Sequence, residues 1–147
     1  MLFRSGAEPE QMLAELGSAV VEFRDTVAKA GGNYRSLSDV ANPYAVGISI
    51  DKGYKGVHVR VPYRAFFINP LAHRVMSPGG FGESVFHTLV HEAAHTATMA
   101  HDANFAGQLA MLYEYLGDTG QAENMRSVLT AIADKHWSTL EIGRAHV

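Results

Sequence analysis

From Pro9 to Ala30 the apolar residues Met12, Leu13, Leu16, Val20, Phe23 and Val27 recur three and four apart, the spacing that lines one face of an α-helix. Pro9 suits a first helical turn, where its missing N–H is no loss, and Gly31-Gly32 supplies the stop. The period then changes. After a polar connection from Asn33 to Pro43 come three short β-like runs: VGISI at 46 to 50, VHVRV at 57 to 61 and AFFIN at 65 to 69. VHVRV alternates cleanly, with Val57, Val59 and Val61 on one face and His58 and Arg60 on the other. Pro62 has no N–H to give a ladder, so this strand is expected at an edge or a bulge.

Helical spacing returns beyond the loop HRVMSPGG, with a helix expected over 81–99. Asp102 can cap a further helix through Phe105, Leu109, Leu112 and Leu116, which the glycines at 117 and 120 end. The last helix is expected over 121–138, on Met125, Val128, Leu129 and Ile132. An N-terminal helix, a small and mostly antiparallel sheet and then three helices make an α+β fold.

Composition narrows the function classes. A chain of 147 residues, 47% hydrophobic and 18% charged, suits one domain that buries roughly 70% of its extended surface. No run of about 18 apolar residues offers a membrane span. The ends MLFRS (1–5) and EIGRAHV (141–147) read like translated sequencing adapter, as in a metagenomic fragment, so a single domain is expected over 6–140. The lack of a signal peptide favours the cytoplasm, an inference that a truncated start would weaken. Within a net charge of -3, the segment 52–74 carries Lys52, Lys55, Arg60, Arg64 and Arg74 and no acidic residue. With Tyr54, Tyr63, Phe66 and Phe67 interleaved, this stretch is a candidate weak nucleic-acid contact, by charge on phosphate and stacking on bases. The competing reading places those aromatics in the core.

Chemistry concentrates in HEAAHTATMAHD, His91 to Asp102, in a chain with no cysteine. On a helix His91 and His95 stand one turn apart on one face, and two imidazoles so placed can share an ion at about 2.0 to 2.1 Å. Glu92 projects about 100° round from His91, beside the metal, where it can act as general base on water. HExxH alone arises by chance in roughly two or three such chains per hundred, so weight falls on His101. In an unbroken helix it would lie about 240° round and about 9 Å beyond His95. It becomes a ligand only if the helix stops and the chain turns back, which the cap at Asp102 supports. His87, His91 and His95 form a stripe whose outer members are about 12 Å apart, which leaves His87 at the rim. Asp102 is read as a cap before a ligand, and His58, His73 and His136 as solvent-exposed or locally bonded.

A hydrophobic strand, Asn69-Pro70-Leu71, a short loop, a helix with LVHEAAH and then HDxxF resembles the small zinc peptidases of the SprT-like and WLM groups and their gluzincin-like relatives. The likeness covers about residues 46 to 116 and extends to peptidase segments of phage polyvalent proteins. The same ligand spacing occurs in metzincins, but those have glycine at the turn where this chain has Thr98, and no Met-turn follows. The resemblance implies a zincin-type active-site helix, Zn2+ held by His91, His95 and His101, and Glu92 as catalytic base of a zinc-dependent metallopeptidase acting on protein or peptide. An edge at 57–61 or 65–69 would align an extended substrate. Tyr63, His87, Tyr113 and Tyr115 are candidates for stabilising the oxyanion. The alternative is a non-catalytic module in which zinc only fixes the fold, disfavoured because structural zinc is usually closed by four protein ligands, commonly cysteines.

Overall fold

The computed structural model describes residues 7–41, 45–50, 53–61, 63–95 and 98–145. Helix α1 (Ala7–Ala28) buries Met12, Leu16, Val20, Phe23 and Val27, the face its spacing predicts, against β1 and the helices behind it. The polar connection that follows is largely a 3-10 segment, Gly32–Ala41, whose Leu37 is fully buried.

Strands β1 (Ala45–Ile48), β2 (Gly56–Val59) and β3 (Ala65–Ile68) form a sheet in the order β1-β3-β2. β1 runs parallel to β3, Ala45 opposite Ala65, while β2 runs antiparallel to it, Gly56 opposite Ile68. The sheet is therefore mixed, not mostly antiparallel. β2 is an edge strand, as Pro62 implies, although Pro62 lies outside the described residues. β3 lies in the middle, with Phe66 and Ile68 in the core, and offers no edge.

Helix α2 (Pro78–Ala94) touches α1, β2, β3 and both α3 (Ala103–Asp118) and α4 (Gln121–Lys135). It starts three residues before Phe81 because Ser77 accepts a hydrogen bond from the Gly80 N–H and Pro78 takes the first helical position. It ends at Ala94, well short of Met99. Phe81, Val85, Phe86, Leu89 and Val90 fill the core from this helix. α2 and α4 approach so closely at Gly82 that a β-carbon there would overlap Thr130 Oγ1 and stand 3.0 Å from the Arg126 carbonyl. The expected last helix is two, since α4 stops at His136 and α5 (Trp137–Ala145) follows. Residues 141–145 of the suspected end thus lie in α5. Among the described residues no helix is long and apolar enough to cross a membrane.

Candidate metal centre

His91 lies in the last turn of α2 and His95 is its C-cap. The helix does stop there. The chain turns back through Thr98, and Asp102 opens α3 by accepting a hydrogen bond from the Phe105 N–H at 3.0 Å. His101 is thereby brought over the end of α2. His91 Nε2 lies 3.3 Å from His95 Nε2 and 3.2 Å from His101 Nε2, and the three potential ligand atoms all fall within 4.8 Å of one another.

These separations fit one ion. Nitrogens about 2.0 to 2.1 Å from a tetrahedral centre stand roughly 3.3 Å apart. The protonation pattern fits as well. His95 Nδ1 lies 2.9 Å from the Thr98 carbonyl, which can only accept, so Nδ1 carries the proton and Nε2 presents its lone pair to the site. Burial, together with the His95 and His101 rings, lowers the pKa of His91 and favours the neutral, ligating form. Zinc, cobalt and other imidazole-binding ions share this preference, so the geometry does not single out one metal.

Glu92 is buried, and burial pushes its carboxyl up to about 7. It lines, with His91, a cleft of about 560 Å³ whose other walls are Ser84, His87 and Thr88 on α2, Gly56 at the start of the edge strand and Lys55 just before it. Gly56 has a steric reason to lack a side chain, as a β-carbon would meet Thr88 Cγ2 at 2.7 Å and Glu92 Oε2 at 3.1 Å.

β2 also secures the end of α2. The final carbonyls of a helix are short of intrahelical donors, and His58 in the strand and Arg60 just after it add donors there, the Glu92 carbonyl also accepting from the His95 N–H at 3.2 Å. His58 Nδ1 bonds to the Glu92 carbonyl at 3.1 Å and Arg60 Nη2 donates to the His95 carbonyl at 2.8 Å. Within β2 the alternation holds with its polar residue turned inward, His58 buried between half-buried Val57 and Val59, while beyond the strand Arg60 and Val61 are both exposed. None of the three histidines set aside is solvent-exposed. His58 is buried on α2, His73 is buried with Nδ1 2.6 Å from Ser84 Oγ, and the buried His136 pairs with Glu15 of α1.

The other candidates divide. His87 does sit at the cleft rim, half-exposed, with its ring between Tyr113 Oη at 2.6 Å and Glu83 Oε1 at 2.7 Å. Tyr115 donates to the Thr26 carbonyl on α1 and Tyr63 is exposed, so neither is committed to the cleft. In the basic segment Lys55 is exposed at the cleft and Arg60 is engaged with His95, while Lys52 lies outside the described residues. Of the four aromatics only Phe66 is core; Tyr54 and Phe67 are half-buried and Tyr63 is exposed. Sequence reasoning missed Gly56 and the structural use of His58 and Arg60. Their signal was present: a glycine directly ahead of an alternating strand whose two polar residues share a face.

No family model matches the chain, and no curated protein or solved structure matches it either.

Proposed function

We propose that the chain is a zinc-dependent metallopeptidase that hydrolyses peptide bonds, with His91, His95 and His101 as ligands and Glu92 as general base. One observation carries the reading: three imidazole nitrogens converge, at 3.2 and 3.3 Å from His91, beside a cleft lined by His91 and the buried Glu92. The likeness of LVHEAAH and HDxxF to SprT-like and WLM peptidases points the same way. Zinc bound by three neutral imidazoles would supply Lewis acidity, lowering the pKa of water and polarising a carbonyl.

The remaining work belongs to the chain. The Glu92 carboxylate, buried in the cleft next to His91, can accept a proton from water and return it to the departing amine. The edge of β2 can take an extended peptide as an added strand, and the cleft between that edge and α2 leads it past Glu92 and His91. A substrate needs several residues without structure of their own, such as a denatured protein.

The test is hydrolysis of an unfolded protein by the zinc-loaded chain. Cleavage that a chelator abolishes while circular dichroism stays constant, and that Glu92→Gln loses while retaining zinc, is the expected result. Zinc binding without cleavage by the wild type would leave the non-catalytic module standing. Failure to bind zinc would remove the metal centre altogether.

A further inference from the structure

Phe105 belongs to no ligand set, yet its ring meets all three. Its centroid lies 5.0 Å from that of His91, 4.7 Å from His95 and 4.9 Å from His101. The histidine centroids are themselves 5.0, 5.1 and 4.9 Å apart. The four ring centres therefore mark the corners of a nearly regular tetrahedron. The His91 nitrogen stands 3.3 and 3.2 Å from those of His95 and His101 while the ring centres stand about 5 Å apart, so the nitrogens point in toward the axis of the triad and an ion they share lies close to it. A phenyl ring cannot ligate, so it closes whichever end of that axis it occupies and leaves only the other to an ion and an added ligand. Phe105 is 7% exposed and is held at this spot by the Asp102 cap on its own N–H.

We infer that Phe105 is a positioning residue that makes the triad one-sided: its ring holds the three imidazoles in register and shuts one end of their axis, so a bound ion keeps a single open position. This rests on the metal reading above. An apolar shell of this kind governs solvent access and coordination number at a metal.

The test uses Co2+, whose visible bands are intense in four-coordinate sites and weak in five- or six-coordinate ones. The wild type should give the intense spectrum. Phe105→Ala should weaken the bands, as water gains the second face, and raise the dissociation constant for Co2+ about 10- to 100-fold. Phe105→Leu keeps much of the volume without the flat face and serves if the alanine variant does not fold. It should show a weakened spectrum at a near-wild-type unfolding midpoint. A folded variant with the wild-type spectrum and affinity overturns the role given to Phe105 while leaving the metal centre intact. A wild type that binds neither Co2+ nor Zn2+ overturns the centre itself and the inference with it.

Discussion

Gly56 lies against Glu92 with no room for a side chain: a β-carbon on the glycine would stand 3.0 Å from Glu92 Cγ and 3.1 Å from Oε2. The edge strand thus sets where the carboxylate rests, and Thr88 Cγ2, 2.7 Å from the same point, blocks the nearest escape. Gly56→Ala must displace one of the three groups. A shift of about 1 Å in a reacting group can cost about 100-fold in rate, so the variant should lose roughly that much peptidase activity. Its zinc content should stay at the wild-type level, because the three atoms nearest the added methyl belong to Thr88 and Glu92 and not to a ligand. Equal turnover by the two proteins would show that Glu92 tolerates the displacement or does no catalytic work.

Local signals made the centre legible. His91 and His95 are fixed by helical spacing, and the reversal that recruits His101 is announced by Asp102, whose cap lies three residues from its partner Phe105. The parts that the chain concealed are nonlocal. Strict alternation in VHVRV defines two faces without saying which is inward. The choice was made by the carbonyls of Glu92 and His95, 34 and 35 residues along the chain, which take donors from His58 and Arg60 at the end of the helix. Likewise the parallel pairing of β1 with β3 and the contact of His136 with Glu15 depend on how distant elements dock. The start of α2 was readable and was passed over, since Ser77-Pro78 is an N-cap followed by proline.

Arg60 ties the edge strand to the ligand helix through the His95 carbonyl at 2.8 Å. A hydrogen bond with a charged donor contributes about 1.5 to 3 kcal/mol, and loss of outer support typically weakens metal binding about 10- to 100-fold. Arg60→Gln should therefore lower the denaturant midpoint and weaken zinc retention in a chelator competition, with Arg60→Lys intermediate. If the residue served only a nucleic-acid surface, both variants would keep wild-type zinc affinity and change only salt-dependent binding to single-stranded DNA.

Asp102 can be separated from the ligands by two substitutions. Asp102→Ala removes the bond to the Phe105 N–H and should cost about 1 kcal/mol of stability. It should also weaken zinc binding, because His101 directly precedes the loosened turn. Asp102→Asn keeps an effective cap without the charge and should restore both properties. A large loss of zinc in the asparagine variant, with stability unchanged, would instead make the carboxylate a ligand.

His73 sets a pH limit on the fold away from the metal. Its ring is fully buried beside Phe81 and Ser84, and desolvation lowers its pKa from 6.5 to about 4. The folded state therefore resists a proton that the unfolded chain accepts, so the stabilising difference is complete above pH 6.5 and is lost as the pH falls toward 4. For one such group the loss is about 2 kcal/mol by pH 5. Urea midpoints of the metal-free protein should fall across this window. His73→Gln, although less stable at neutral pH, should show a shallower fall over the same range. Parallel pH profiles for the two proteins would mean that His73 does not titrate differently on folding, and the acid sensitivity would have to come from another buried base, with His58, also lowered to about 4 by burial, the next to substitute.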